Sequence, residues 1–376
     1  MSDQSKPVIL MAGGGTGGHV YPGVALAREL EAQASVAIEW VGAPGRVESW
    51  AVPNAGYPIT FLDVEFIKGR RGVALLKALA RLPAALFRAW RLLRTRRPVA
   101  VVGLGGFVSG PVCLIAGLTG RRVYLLEQNA RPGLTNRVNG RLARMVFATF
   151  EASRAWFPAG RVRVEGNPIR RELMDKVAEH AHDGSSSTTA APIRVLVVGG
   201  SQGSLTLNRE VPARLQELAG AGLQLEIRHA SGKGRLAEVL PHYEGLPWPV
   251  EVVEYIDDMA AAYAWADLLI CRAGATTISE LTAVGLPALY VPFPFAADDH
   301  QRANARAVVD AGGGWMLSDE ELASPEASRT FAEILGDREM LARVGLQARA
   351  LGRVDAGPKI AAYILSESLP EHATAR

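Results

Sequence analysis

The chain has 376 residues, more than one typical hydrophobic core holds, so two domains are expected. Hydrophobic residues make up 48% and charged residues 21%, which is ordinary for a globular protein. The two cysteines, Cys113 and Cys271, lie in apolar surroundings. They fit a reducing compartment and offer no metal-ligand spacing. The N-terminal MSDQSKPVILMAGGG lacks the basic start and long apolar run of a secretory signal, and no apolar stretch of about 18 residues exists to span a membrane. The net charge of +3 is unevenly spread. From Phe66 to Leu126 there are twelve Lys and Arg and no Asp or Glu, leaving 29 basic against 38 acidic residues elsewhere.

In chain order, Pro7–Ala12 predicts a buried strand running into Gly13-Gly14-Gly15-Thr16-Gly17-Gly18-His19, then a helix from about Pro22 to Ala32. Absent side chains let backbone N–H groups close on a phosphate or sugar. Gly13, Gly15 and Gly18 fit G-x-G-x-x-G. The acid which that fingerprint wants at the end of the second strand is matched only by Glu39, inside the strand Val36–Val41, which weakens a nicotinamide reading. No Gly-Lys-Ser/Thr follows, so this is not a nucleoside-triphosphate P-loop. His19 is the first reactive side chain after the glycines. Its imidazole is suited to take a proton from an attacking hydroxyl, or simply to cap the helix.

Gly72–Arg97 carries Leu75, Leu76, Leu79, Leu82, Leu86, Trp90 and Leu93 at helical spacing, with Lys77, Arg81, Arg88, Arg91 and Arg94 between them. Pro83 is expected to break or kink the run. The apolar stripe suits a core face; the portion Leu75–Leu82 also suits an anionic membrane interface. No nucleic-acid motif accompanies the charge. Val99–Leu104 leads into a second glycine turn, Gly105-Gly106-Phe107-Val108-Ser109-Gly110, and Arg122–Leu126 into Glu127-Gln128-Asn129. Three strand ends of the first half thus carry glycine or polar clusters for one cleft. Gly166-Asn167-Pro168 marks a crossing between domains, and Ala178–Pro192 reads as a Ser/Thr-rich loop.

Ile193–Gly199, followed by Gly200-Ser201-Gln202-Gly203-Ser204, repeats the opening strand, glycine turn and helix. This repeat points to two Rossmann-like domains facing each other across a cleft. Glu251–Tyr255 and Leu268–Cys271 supply further strands. Beyond them, Thr276 and Thr277 offer N-cap hydroxyls to a helix with Glu280 in its first turn, closed by Gly285-Leu286-Pro287. After the strand Ala288–Val291, the residues Asp298, Asp299, His300, Gln301 and Asn304 crowd polar groups at its carboxyl end, where doubly wound sheets hold ligands. A helical tail runs from about Phe331 to Glu367.

The segments GGGTGGHVYPGVALA, GLGGFVSGP, EQNARPGLTN, GNPIR, GGSQGS, YIDDMAAAYAWADLLICRAGATTISE and PFAADDHQRANA, in this order along most of the chain, resemble the MurG family. Those are UDP-N-acetylglucosamine:undecaprenyl-pyrophosphoryl-N-acetylmuramoyl-pentapeptide N-acetylglucosaminyltransferases. The resemblance implies an α/β GT-B glycosyltransferase fold. Residues 1–165 would form an acceptor- and membrane-facing domain, 166–345 the UDP-GlcNAc domain, and 346–376 a helix returning to the first domain. It implies donor contacts at Thr16, Gly17, Gly18, Asn129, Arg170, Ser201, Ile256, Ala275, Thr276, Thr277, Ile278, Ser279, Glu280 and Gln301. Ile256 would meet the uracil and Glu280 the ribose. Gly14, Gly15, Gly105, Gly106 and Ser109 would hold the acceptor pyrophosphate. His19 matches the candidate base, with Glu127 second, and no metal or other cofactor is implied.

The implied reaction is inverting transfer of GlcNAc to the muramoyl 4-hydroxyl of undecaprenyl-linked lipid I, giving lipid II and UDP for peptidoglycan synthesis, cell wall biogenesis, cell shape and division. The implied setting is peripheral, on the cytoplasmic face of the bacterial inner membrane, against an anionic surface and in the company of cell-wall synthesis proteins, without nucleic acid. Leu126, Phe107 and Phe295 depart from His, Tyr and His in many members, which argues against a catalytic role at those positions. Competing expectations are a UDP-GlcNAc 2-epimerase, a GT-B transferase acting on another lipid acceptor, a nicotinamide oxidoreductase, and a non-catalytic UDP-sugar or membrane adaptor.

Overall fold

The structure, a computed structural model, describes residues 6–64, 72–183, 191–200 and 202–369. Lys68, Arg70, Arg71, Ser201 and the Ser/Thr-rich 184–190 lie outside the described residues, as do the side chains of Leu75, Leu76, Lys77 and Leu79. The chain divides into two compact units, Met1–Arg170 with Val354–Arg376, and Arg171–Arg353.

The first unit is built on seven strands: β1 Val8–Gly13, β2 Ala37–Gly42, β3 Ile59–Phe61, β4 Ala100–Gly105, β5 Arg122–Glu127, β6 Met145–Ala148 and β7 Val162–Val164. Their order is β3-β2-β1-β4-β5-β6-β7, and every described pair is parallel. In β1 the run Ile9–Gly13 is wholly buried. A parallel sheet is covered on both faces, so its central strands read as continuous apolar runs rather than alternating ones. The connecting helices are α1 Gly17–Gln33, α2 Glu48–Asn54, α3 Gly72–Arg96, α4 Gly106–Leu118 and α5 Leu134–Asn139. One core gathers Val24, Leu26 and Leu30 of α1 with Trp40 and Leu104; the other gathers Ala89 and Leu93 of α3 with Val112 and Ala116 of α4.

Two expectations about these helices are corrected. Helix α1 starts at Gly17, with Thr16 as its N-cap, and carries Pro22 inside. The N–H that proline lacks would have bonded Gly18, one turn from the helix start, so little is lost. Helix α3 runs unbroken through the exposed Pro83. Its buried stripe is Ala85, Ala89 and Leu93, while Phe87 and Trp90 are exposed at 61% and 36%. Alanines let the helix lie close to its neighbours, which turns the bulky aromatics outward.

The second unit contains α6 Arg171–Asp183, β8 Ile193–Val198, α7 Leu205–Glu217, β9 Leu225–Ala230, α8 Leu236–Val239, β10 Val250–Val253, α9 Met259–Trp265 and β11 Leu268–Cys271. It continues through α10 Ala275–Val284, β12 Ala288–Tyr290, α11 His300–Val309, β13 Trp315–Met316, α12 Asp319–Ala323, α13 Ala327–Gly336 and α14 Arg338–Ala350. The sheet order is β10-β9-β8-β11-β12-β13, again parallel, the same 3-2-1-4-5-6 winding that opens the first sheet. Gly285 ends α10 in the left-handed conformation at φ 75°, its N–H bonding Leu281. Buried His229 sits between the Tyr243 hydroxyl at 2.7 Å and Asn208 at 3.0 Å, and burial lowers its pKa to about 4.

The helical tail is three helices, and the chain leaves the second unit after residue 353. Helix α14 stays with α10: a β-carbon on Gly345 would come within 2.7 Å of the Gly285 carbonyl. The last helix, α15 Ala356–Ser368, belongs to the first unit. It buries Ile360, Ile364 and Leu365 with α1, sets Tyr363 edge-on to Phe147 at 5.5 Å, and meets the Tyr124 hydroxyl through Ser368 at 3.1 Å.

Gly23 of α1 sets up a clear contest. Alanine is the better helix former by roughly 1 kcal/mol. A β-carbon there would lie 2.5 Å from Leu104 and 2.7 Å from Trp40, both fully buried. Overpacking costs about 1–3 kcal/mol and wins. Gly23→Ala is expected to lower the urea midpoint of the chain; a rise would show that this helix is free to shift.

Candidate active site

The first sheet reverses its winding between β1 and β4, and ligands of doubly wound sheets lie at such a switch point. Both glycine loops emerge there. A β-carbon on Gly13 would lie 2.6 Å from the Gly105 carbonyl, and one on Gly106 2.5 Å from the Gly14 carbonyl. Gly13, Gly14, Gly15, Gly105 and Gly106 all hold positive φ. The loops therefore touch backbone to backbone, which only glycine permits.

The first loop is pinned from below. Trp40 Nε1 donates to Gly13 O at 2.9 Å, and the buried Glu48 accepts from Gly15 N at 2.6 Å and from Ala43 N at 3.0 Å. The Gly15 N–H is thus turned inward to a carboxylate and does not line an outward anion cradle, and Gly14 packs on the same carboxyl group. Thr16 and Gly18 are the exposed residues of this turn. His19 stands half-buried, Nδ1 lying 3.1 Å from Gly14 O and 3.3 Å from Thr16 Oγ1. A carbonyl oxygen only accepts, so a hydrogen bond to Gly14 O needs the hydrogen on Nδ1, and a neutral ring in that tautomer has its lone pair on Nε2. That nitrogen is turned toward the second loop, 3.0 Å from where a Gly105 β-carbon would sit.

At the next strand end, Glu127 is 2% exposed and both its oxygens are occupied. It accepts from Asn129 N and from Asn136 Nδ2, each at 2.9 Å, and burial raises its pKa to about 7. So enclosed, the carboxyl group holds Asn129 and Asn136 in place. Ser109 is also buried, its hydroxyl donating back to Gly106 O at 3.4 Å, so it does not face outward as expected. Asn129 is half-buried. Arg170, assigned by sequence to the second domain, closes the first unit with its guanidinium 5.3 Å over the Tyr21 ring. Glu39 is paired with Arg96 at 3.2 Å and is the third of six residues in β2, three short of its carboxyl end.

In the second unit the switch point lies between β8 and β11. Arg272, just past β11, donates to Asp319, to Val291 O at 3.1 Å and to Ser204 Oγ at 2.7 Å, tying three strand-end segments together. Helix α10 is capped by Gly274, which has no side chain, and not by Thr276 or Thr277; these occupy the first turn, half-buried, with Ala275 buried ahead of them. Ile278 belongs to the interior, and Ser279 donates to Ala275 O at 2.8 Å within the helix. Glu280, the sixth residue of α10 and so in its second turn, receives the Tyr263 hydroxyl at 3.1 Å. Ile256 lies half-buried beyond β10. Gln301 opens α11 with its side-chain oxygen accepting from Phe293 N at 2.9 Å. Just before it, Asp298 and Asp299 both hold left-handed backbone at φ 57° and 54°, a strained pair for non-glycine residues.

Sequence reading missed Glu48, Asn136, Tyr263 and Arg272. Glu48 opens α2, six residues past the end of β2 where the dinucleotide fingerprint places its acid, and it turns in under the loop, so no local signal marks it. Among the described residues no three His, Cys, Asp or Glu side chains gather as metal ligands.

Two doubly wound parallel-sheet units with glycine turns at their switch points are the architecture of the GT-B fold. Residues 9–148 match the Glycosyltransferase family 28 N-terminal domain and residues 194–350 the Glycosyltransferase family 28 C-terminal domain. The chain is 43% identical, over 94% of its length and 91% of the relative's, to the UDP-N-acetylglucosamine–N-acetylmuramyl-(pentapeptide) pyrophosphoryl-undecaprenol N-acetylglucosamine transferase of Myxococcus xanthus. It is 42% identical to the protein so named in Aeromonas hydrophila, over 95% and 96%. The crystal structure of Acinetobacter baumannii MurG superposes with a TM-score of 0.80 at 31% identity, covering 96% of this chain and 99% of that one. A UDP-GlcNAc 2-epimerase from Neisseria meningitidis shares the fold at a TM-score of 0.66 and 14% identity, covering 96% of this chain and all of the other. The chain belongs to the MurG family of glycosyltransferases, with the GT-B fold.

Glu127 yields a pH prediction. Its folded pKa of about 7 lies above the ordinary 4.5, so its contribution to stability is complete below about 4.5 and is lost as pH rises through 7. The loss is about 3 kcal/mol in all, at about 1.4 kcal/mol per pH unit. Urea unfolding of wild type and Glu127→Gln at pH 5 and pH 8 is expected to show a smaller pH dependence in the variant; equal dependence would mean that Glu127 keeps an ordinary titration.

Proposed function

We propose that this protein transfers GlcNAc from UDP-GlcNAc to the 4-hydroxyl of the muramoyl residue of lipid I, giving lipid II and UDP. The observation that carries this reading is the relationship, along 94% of the chain, to proteins named for that transfer. The likeness to 2-epimerases, at 14% identity, is one of fold alone and does not favour epimerisation.

In this reading the second unit binds the donor. The first-turn N–H groups of α10 follow a cap residue without a side chain, so they and the helix dipole suit the diphosphate. Glu280, held by Tyr263, takes the ribose hydroxyls; Ile256 meets the uracil; Gln301 meets the sugar. Ser201, which lies outside the described residues, is the diphosphate contact that the family resemblance adds. In the first unit Thr16, Gly17, Gly18 and Asn129 are the further donor contacts that the family resemblance implies, and the loop at Gly106, which opens α4, suits the acceptor pyrophosphate. The acceptor O4 attacks the anomeric carbon, its proton passes to His19 Nε2, and the bond from that carbon to the diphosphate oxygen breaks with its electron pair leaving on UDP. A single displacement inverts the α-linked donor to a β-1,4 product.

Helix α3 supplies the membrane contact. Phe87 and Trp90 stack at 5.7 Å on its exposed side, and Arg94 lies 5.3 Å over the Trp90 ring, with Arg81, Arg88 and Arg91 also exposed. Aromatics flanked by arginines suit an interface of anionic headgroups. Leu82, part of the stretch expected to play this role, is half-buried. Among the described residues no helix is long and apolar enough to cross a membrane. The proposed mode is peripheral, through this aromatic and basic face, on the cytoplasmic side of the inner membrane.

The direct test is UDP release from UDP-GlcNAc with EDTA present, with and without a soluble lipid I analogue. Release that needs the analogue and yields a disaccharide is expected; release without any acceptor would instead indicate a hydrolysing epimerase. His19→Ala is expected to cut turnover about 10²–10⁴-fold, the usual contribution of a general base, while UDP affinity stays within about twofold. Near-normal turnover would remove His19 from that role. Replacing Phe87 and Trp90 together with Ser is expected to weaken sedimentation with phosphatidylglycerol vesicles about tenfold or more, at 25 cal/mol per Å² of apolar surface lost, and to spare activity on the soluble analogue. Unchanged sedimentation would move the lipid contact elsewhere.

A further inference from the structure

We infer that Glu48 is a positioning residue for His19, acting through the single peptide unit that joins Gly14 to Gly15. This peptide faces two ways. Its N–H, on Gly15, donates to Glu48 Oε2 at 2.6 Å, and its carbonyl, on Gly14, accepts from His19 Nδ1 at 3.1 Å. Carboxylate, peptide and imidazole therefore form one hydrogen-bonded chain. In the familiar carboxylate–histidine pair the acid touches the ring directly and fixes its tautomer. Here one amide is interposed. A carboxylate on the N–H end polarises the amide, making the carbonyl a stronger acceptor, because hydrogen bonds in a chain reinforce one another in a low-dielectric interior. The Nδ1–H tautomer is favoured, Nε2 is kept as the basic nitrogen, and the imidazolium formed on proton transfer is stabilised.

The fold is arranged for this contact and not merely tolerant of it. Glu48 is fully buried, and an isolated buried carboxylate is costly unless hydrogen-bonded. Glycines at 14 and 42 make its room: a β-carbon on Gly42 would lie 2.6 Å from Glu48 Cγ, and one on Gly14 would overlap the carboxyl group. The second oxygen is held by Ala43 N at 3.0 Å, which aims the first at Gly15. Other charged or titratable groups near this turn are placed differently. Tyr21 packs against Gly17 with Arg170 over its ring, and Glu127 faces Asn129 and Asn136.

The inference rests on His19 being the base, and the test separates the two. The full chain, labelled with ¹⁵N-histidine, is titrated by NMR, with the His19 resonances identified from their absence in His19→Gln. In wild type the neutral ring is expected as the Nδ1–H tautomer; an Nε2–H tautomer would overturn the inference without any change at Glu48. In Glu48→Gln, which keeps one acceptor oxygen for Gly15 N–H, sets its NH2 against Ala43 N–H and loses the charge, the His19 pKa is expected to fall by about half a unit or more. In the same variant kcat should drop about tenfold or more, with the KM for UDP-GlcNAc within about twofold. A loss of activity with the His19 tautomer and titration as in wild type would make Glu48 structural only and sink the proposal. If His19 titration follows Glu48 while His19→Ala keeps its turnover, the relay stands and the base assignment falls.

Discussion

The first unit depends on the close approach of two backbones. Gly13 and Gly14 of one loop lie against Gly105 and Gly106 of the other, at distances that no β-carbon allows. The approach follows from sheet winding: β1 and β4 are neighbours, so the segments that leave their carboxyl ends must share one small space. Glycine satisfies the positive φ values and the contact together. With the loops locked in this way, α1 begins where the first one ends, and His19 is carried in its first turn with the ring beside Gly105.

A second layer of buried polar groups keeps these loops in register. Trp40 and Glu48 hold the first loop from below, Gln128 donates to Leu104 O beside the second at 3.2 Å, and Glu127 with Asn136 ties down the turn after β5. In the second unit Arg272 does the equivalent for three segments at once, and Tyr263 steadies Glu280. Such groups are expensive to bury without partners and strongly directional once paired. They convert flexible glycine turns into fixed geometry, which general-base and anion-binding chemistry both require.

Surface and interior divide helix α3 in a way that its residue types alone do not. Leucines at helical spacing suggest a core stripe, yet alanines at 85 and 89 take the closest contacts, and the stacked Phe87–Trp90 pair faces out among arginines. Two of the three buried positions described in α3 are alanines, which lets the helix lie near α4, and Leu93 is the bulky residue packed with them. The exposed aromatics then become the part of the helix with a use outside the fold.

The sequence by itself determined the doubly wound class, the strand-end glycine turns, the repeat of the opening unit in the second half, the left-handed cap at Gly285 and the family. Each is written in short-range pattern: apolar runs of strand length, and glycine where φ is positive. Only the tertiary structure decided which polar residues face outward. Glu127 and Ser109 look available in sequence and are buried; Thr276 and Thr277 look like caps and sit inside the first turn; Arg170 closes the first unit. Glu48 lies 33 residues from Gly15, and nothing local marks it as that glycine's partner. The reason is physical. A side chain's partner is fixed by sheet order and helix packing, which join residues far apart in the chain, whereas turn and strand signals are settled by neighbours.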